Sequence, residues 1–229
     1  MSRIHFIGGE KGGVGKSVVA RLLAQYWLDK QTPWIGFDTD RSHGALLRHY
    51  PGFAQPIEIA AMDDLDRLIE AAAEKEQQVV VDLAAQTEQD LCRWIDAGDV
   101  LTLARELGVE IVFWHVMDDG KDSSDLLLKL LNRYRAAALF VVVLNRGRGD
   151  NFSLFYSSPS AQLAAEMKVP VIELAALHKS TMRNIDRFDK SFWAAASSAG
   201  VEGALGLVER HRVKVWLRNA YAEFEKLGF

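Results

Sequence analysis

The stretch Gly8-Gly9-Glu10-Lys11-Gly12-Gly13-Val14-Gly15-Lys16-Ser17 decides how the chain is read. It follows an apolar, β-rich run, Ile4–Gly8, and precedes a helical pattern carrying Val18, Val19, Leu22, Leu23, Tyr26 and Trp27. Strand, glycine-rich turn, Gly-Lys-Ser and helix in that order are the context of a phosphate-binding loop. Glycines let successive backbone N–H groups turn toward phosphate oxygens. The helix N-terminus adds partial positive charge at the same spot. Lys16 can then reach the β- and γ-phosphates of a nucleotide, and Ser17 can set its hydroxyl on Mg²⁺. A dinucleotide-binding reading fails, because there is no G-x-G-x-x-G and Gly-Lys-Ser has no part in it. The nucleotide contacts expected from this loop are Glu10, Lys11, Gly12, Gly13, Val14, Gly15, Lys16, Ser17 and Val18.

Outward from the loop, short β-rich runs alternate with longer helical patterns. The strand-like runs are Ile4–Gly8, Trp34–Asp38, Val79–Asp82, Glu110–Val116, Ala138–Asn145 and Val169–Leu174. Most are continuously apolar, as strands covered on both faces are. Helical patterns occupy Ser17–Lys30, Asp63–Lys75, Glu88–Leu107, Ser123–Tyr134, Ser160–Lys168, Thr181–Ala196 and Gly203–Lys226. The alternation predicts an α/β, doubly wound, mostly parallel sheet with helices on both faces, as a single domain over 1–229. Asn145–Ser160 reads as a long loop between a strand and a helix.

Composition agrees with that class. The chain has 229 residues, 49% hydrophobic and 25% charged, enough apolar material for a core without staples. One cysteine, Cys92, excludes a disulfide framework and a four-cysteine metal site within one chain. No apolar run approaches the ~20 residues of a membrane-spanning helix, and no signal-peptide pattern opens the chain. The expectation is a cytoplasmic protein without integral membrane contact. A net charge of −4 argues against a globally basic nucleic-acid binder, so any DNA contact needs a local patch.

Two further segments carry acids to strand ends. Trp34-Ile35-Gly36-Phe37-Asp38-Thr39-Asp40 spaces two carboxylates two residues apart, on the same side of an extended chain. In an open α/β sheet the carboxyl ends of strands line the ligand crevice. The alternative is an acidic turn at the sheet edge. Val79-Val80-Val81-Asp82 places an aspartate after three β-branched residues, where a metal-shell carboxylate of a phosphate-loop protein belongs. Asn145 ends the strand Ala138–Asn145 and can donate and accept at once; a turn residue reads equally well there. Gln86 can contact phosphate or water, and reads equally well as a solvated neighbour of the next helix cap. Asp118–Asp125 lacks the spacing of a calcium loop and reads as a loop with a helix cap before Leu126. The six histidines, His43 after the first acidic segment among them, form no metal-ligand pair.

The loop departs from the general G-x-x-x-x-G-K-[ST] pattern, since Glu10 stands at its first glycine. Lys11-Gly12-Gly13-Val14-Gly15-Lys16-Ser17, with its second lysine, closely resembles the deviant phosphate loop, K-G-G-x-G-K-[ST], of the ParA/MinD ATPases. Phe37-Asp38-Thr39-Asp40-Arg41-Ser42-His43 and Asp82-Leu83-Ala84-Ala85-Gln86 look most like plasmid conjugal-transfer and mobilisation members of TraL or MobD type. The resemblance implies an ATP- and Mg²⁺-dependent ATPase that closes into a homodimer over two nucleotides. In that picture Lys11 contacts the partner's ATP and is catalytic with Lys16 and Asp40. Asp38 holds Mg²⁺ through water beside Ser17 and Asp82, Asp40 orients the attacking water, and Asn145 reads adenine. The family's second switch carries a glycine that this chain lacks after Asp82.

The resemblance also implies slow hydrolysis stimulated by a partner protein, with nucleoid association and non-specific DNA contact through basic residues. Candidates for that contact are Arg183, Arg187, Arg210, Arg212, Lys214 and Arg218. The cargo would be plasmid DNA or another complex to be positioned, partitioned or transferred. A final helix with solvated charges is the plainer reading of the basic residues on the last segment. Two other functions stay open: a metabolic ATP-dependent enzyme acting on a small molecule, and a non-hydrolysing nucleotide-bound adaptor. An iron–sulfur ATPase lacks its second cysteine, and a bacterial tyrosine kinase lacks its tyrosine cluster.

Overall fold

A computed structural model of the chain describes residues 1–9, 11–40 and 44–228. Its strands are β1 (Arg3–Gly8), β2 (Trp34–Asp38), β3 (Ala54–Pro56), β4 (Gln78–Asp82), β5 (Glu110–Met117), β6 (Leu139–Asn145) and β7 (Val171–Leu174). They form one sheet in the order β3-β2-β4-β1-β5-β6-β7, with every pairing parallel. The chain winds outward from β1 through β2 to β3, returns at β4, then winds the other way through β5 and β6 to β7. β1 therefore sits at the centre, and its carboxyl end opens between those of β4 and β5.

Continuous apolar strands exist because the sheet is covered twice. Ile4, Phe6, Val79, Val81, Ile111, Phe113, Phe140 and Val142 enter one core. Their neighbours Ile7, Val80, Val112, Trp114, Val141 and Val143 enter the other. The first core is closed by α3 (Met62–Glu74), α4 (Glu88–Ala97), α5 (Val100–Glu106), α6 (Lys121–Tyr134), α7 (Ser153–Tyr156) and α8 (Pro159–Glu166). The second is closed by α1 (Lys16–Asp29), α2 (Ala45–His49), α9 (Lys179–Arg187), α10 (Phe192–Ser197) and α11 (Leu207–Glu225). Burial on both faces removes alternation from the strand sequences and supplies most of the driving force for folding.

Several boundaries differ from expectation, each for a local reason. The single helix expected over Glu88–Leu107 is two helices, because Asp99 takes a left-handed φ of 44° after Gly98. The segment Thr181–Ala196 divides likewise at Asp189, with φ 44°, and Ser191 restarts the chain by accepting the amide of Ala194. The last helix begins at Leu207 rather than Gly203, whose φ is 69°, and the Glu209 carboxylate accepts the Gly206 amide at its start. The edge strand β3 pairs over three residues only and contains Pro56, tolerable because an edge leaves one side unpaired. The expected loop Asn145–Ser160 contains α7. Among the described residues, no helix is long and apolar enough to cross a membrane.

Candidate nucleotide-binding site

The glycine-rich loop runs from β1 into α1 and is shaped by close approach. Gly9 has φ 124°, and a Cβ there would lie 2.3 Å from the Val116 carbonyl oxygen. Gly15 has φ 98°, and a Cβ would lie 2.2 Å from Asn145 Nδ2. Both positions demand glycine for conformation and for space. Lys16 is buried at the first turn of α1, and its ammonium donates to the carbonyls of Gly9 (2.9 Å) and Lys11 (3.1 Å). It therefore lies across the mouth of its own loop. A phosphate oxygen would replace these neutral acceptors with a charged one, the stronger kind of hydrogen bond.

Lys11 leaves the loop. Its Nζ donates to Asp118 Oδ2 at 2.7 Å, at the carboxyl end of β5. That hydrogen bond holds the Lys11 ammonium above its ordinary pKa. Burial works against the Asp118 charge, but donors from Lys11, Ser123 and the Gly120 amide hold its carboxyl below the usual value. Asp119, next in sequence, accepts the amides of Asp150 and Asn151, tying this loop to the one after β6. Sequence reasoning passed over Asp118 as part of an acidic loop. The signal available was its place beyond the strand run Glu110–Val116, among the strand ends that line the crevice.

Asp38 and Asp82 are register neighbours on β2 and β4, and both are buried. Asp38 Oδ1 accepts the Asp40 amide at 3.0 Å, while Oδ2 accepts the amides of Leu46 (2.9 Å) and Leu47 (3.3 Å) at the start of α2. Burial raises its pKa and these three donors counter the rise. Asp38 and Asp40 thus come together through a turn closed on Asp38, because β2 stops there; the extended two-residue spacing expected from the sequence does not occur. Asp82 is different. Ser17 donates to its carboxylate, but Oδ1 has no partner among the described residues. Burial and the Asp38 charge push its pKa up to about 7, against Ser17, Lys16 and Arg21. A buried carboxylate oxygen without a donor beside a serine hydroxyl fits a hard cation such as Mg²⁺, which takes one or two carboxylates with phosphate and water oxygens. Thr39 ties the two strand ends together: its hydroxyl donates to the Asp82 carbonyl at 3.1 Å and accepts the Ala84 amide at 2.7 Å.

Two clefts meet over these groups. One, of about 390 Å³, is lined by Gly12, Gly13, Gly15, Lys16, Ser17, Val18, Asp40, Asp82 and Ala84–Ala85, with Arg21, Arg48 and His49 on the α2 side. The other, of about 420 Å³, shares Val18, Arg148 and Asp186 with it. Its apolar wall is Ala175, Leu177, Met182 and Trp216, and its polar rim is Asn145, Lys179 and Arg183. An apolar slot continuous with a phosphate loop suits a planar base. Asn145 lines it while donating to the Val14 carbonyl at 2.8 Å and accepting the Gly147 amide at 2.9 Å, so its side chain also braces the phosphate loop. Val14 is buried and contributes its carbonyl to that brace. Trp216 is buried and also lines this slot, with its indole N–H on the Ala175 carbonyl.

Glu10 and His43 lie outside the described residues. Of the six basic residues considered for DNA, Arg183 and Arg187 lie on α9 and Arg210, Arg212, Lys214 and Arg218 on α11. Arg183 belongs to the second cleft, and Arg187 lies 5.3 Å over the Phe188 ring. Arg210 donates to the Leu205 carbonyl. Lys214 and Arg218 border a groove of about 440 Å³ with Trp193 and Tyr221. Arg212 stands two residues from both Arg210 and Lys214, about 160° round α11 from each.

No family model matches the chain. It is 30% identical to Protein TraL of Escherichia coli over 245 aligned positions, covering 98% of each chain. It is 28% identical to Protein MobD of Acidithiobacillus ferrooxidans over 162 positions, covering 68% of this chain and 69% of that one. Among solved structures, it superposes on the septum site-determining protein MinD complexed with Mg-ADP from Pyrococcus horikoshii with a TM-score of 0.60. That match has 15% identity and covers 100% of this chain and 98% of that one. Likeness at that level is a likeness of fold.

Proposed function

The chain belongs to the TraL family and has the fold of MinD, and from that premise we propose that it is a ParA/MinD-like P-loop ATPase acting as an ATP-controlled switch. It binds ATP with Mg²⁺, closes with a second copy over two nucleotides, and reopens after slow hydrolysis. The closed form engages a partner protein or DNA in plasmid transfer or partition, and the partner stimulates hydrolysis.

The residues divide the work. Backbone amides from Gly12 to Val18, with Lys16, hold the phosphates, and the slot beside Asn145 and Trp216 takes adenine. Ser17 and Asp82 hold Mg²⁺, which when bound offsets phosphate charge. Asp38, whose oxygens are engaged by backbone amides, positions the first switch. Asp40 orients the attacking water at the cleft wall. Of the basic residues, Arg210, Lys214 and Arg218 follow at four-residue spacing along one side of α11, the side offered to DNA backbone.

The observation that carries this reading is the separate fate of the two loop lysines. Lys16 is folded into its own loop. Lys11 is held outside both clefts, on Asp118, by a pair that is about one-third exposed on the lysine side. The lysine stem is long and its ammonium partly exposed, so Lys11 can exchange Asp118 for a phosphate presented by a second copy, where a cation in trans stabilises the transferring group. Lys11→Ala is expected to keep nucleotide binding by the single subunit and to lose ATP-dependent dimerisation. Light scattering without nucleotide, with ADP and with ATP measures this, with and without DNA. An ATP dimer that survives the substitution would overturn the in-trans role.

A further inference from the structure

Six described residues other than glycine have a positive φ: Gln31, Gln86, Asp99, Arg135, Lys168 and Asp189. Five of them stand just past a helix, after α1, α4, α6, α8 and α9. That is where a left-handed residue closes the last turn and satisfies its carbonyls. Gln86, with φ 64°, does not follow a helix; it lies between β4 and α4, two residues before Glu88. Glycine adopts this conformation without cost, whereas a glutamine is strained by it. The closing of a helix does not account for that strain.

The loop around Gln86 is held in place at both shoulders. The Ala84 amide donates to Thr39 Oγ1, and the Thr87 hydroxyl donates to the Ala84 carbonyl at 2.8 Å. Ala84 and Ala85 form part of the wall of the phosphate cleft. Gln86, exposed at the tip, is the next residue along. Its carboxamide accepts at oxygen and donates at nitrogen without bringing a negative charge to a triphosphate.

We propose that Gln86 is a catalytic residue for nucleotide hydrolysis, its carboxamide oxygen accepting one hydrogen of the attacking water that Asp40 also orients, and its N–H donating to a γ-phosphate oxygen. The water oxygen bonds to the γ-phosphorus as the bond from phosphorus to the β,γ-bridging oxygen breaks. ADP and inorganic phosphate result, the surplus proton goes to solvent, and Gln86 keeps its own protons. Positioning of this kind is a large part of phosphoryl-transfer catalysis. The inference rests on the ATP-hydrolysing reading above.

The test uses the full chain with Gln86→Gly, Gln86→Ala and Gln86→Glu. Thermal unfolding, equilibrium binding of ATPγS with Mg²⁺, and single-turnover ATP hydrolysis are measured on each. Gln86→Gly is expected to unfold about 2 °C higher, bind ATPγS as wild type does, and hydrolyse about 100-fold more slowly. Gln86→Ala is expected to lose the rate without the gain in stability. Gln86→Glu, which keeps the length but not the donor, is expected not to restore the rate. A glycine variant that turns over at the wild-type rate, or is no more stable, overturns the proposal while leaving the ATP switch intact. A wild-type protein that does not hydrolyse ATP sinks both.

Discussion

The carboxyl ends of β2 and β4 carry the same residue one strand apart, and the two ends meet burial in opposite ways. Asp38 satisfies both oxygens with amides of its own chain and so builds the turn into α2. Asp82 keeps an oxygen that no described residue serves. A buried polar atom without a partner costs free energy; a site retains that cost when a ligand supplies the missing contact. One aspartate is therefore engaged by its own chain and the other keeps an oxygen open to a ligand, a distinction that identical residue type and identical strand position conceal.

Removing Asp38 should show the larger effect on folding. Asp38→Ala leaves three backbone amides without their acceptor and is expected to lower unfolding stability by about 3 kcal/mol, read as a shift in the urea midpoint. An Asp38→Ala protein as stable as wild type would erase the contrast between the two strand ends.

Asp82→Asn should act in the opposite direction. Without nucleotide it removes a buried charge and raises stability, while Mg²⁺-dependent ATP affinity falls about 10- to 100-fold, measured by titration with and without EDTA. The gain depends on pH. The folded-state pKa of Asp82, about 7, lies above the unfolded value near 4. The native wild type binds the extra proton between those values, so its stability is lost as pH rises from about 4 through about 7. The gap between variant and wild type should widen over that interval, by on the order of a few kcal/mol, and level off above it. A gap that stays flat with pH would show that the Asp82 charge is already satisfied.

Thr39→Val is the mildest probe. It deletes the hydroxyl that joins the Asp82 carbonyl to the Ala84 amide and should cost about 1 kcal/mol. It should also loosen the loop 83–87, seen as faster amide hydrogen exchange there. Unchanged exchange would mean that the two strand ends are not coupled through this side chain.

Much of the molecule is legible in the chain itself. The order of strands and helices follows from apolar runs of two lengths, and each core strand reads as fully apolar because both its faces are covered. The helix breaks at Asp99 and Asp189 were not legible, since one residue in a left-handed conformation interrupts an otherwise unbroken helical pattern. The short α2 was not legible either. Five residues without a local side-chain cap make a poor isolated helix; this one exists because Asp38, on another element, caps it.

The site divides along the same line. Gly-Lys-Ser after a strand declares a phosphate loop because its parts are adjacent in sequence and act through local backbone geometry. Which acid holds Lys11, which aspartate oxygen is left open, and which walls form the second cleft depend on residues far apart along the chain. Lys11 meets Asp118 across 107 positions, and Asn145 braces Val14 across 131. Contacts over such separations arise only when the sheet sets β1 between β4 and β5, so they are properties of the packed molecule, and the local pattern of residues carries no trace of them.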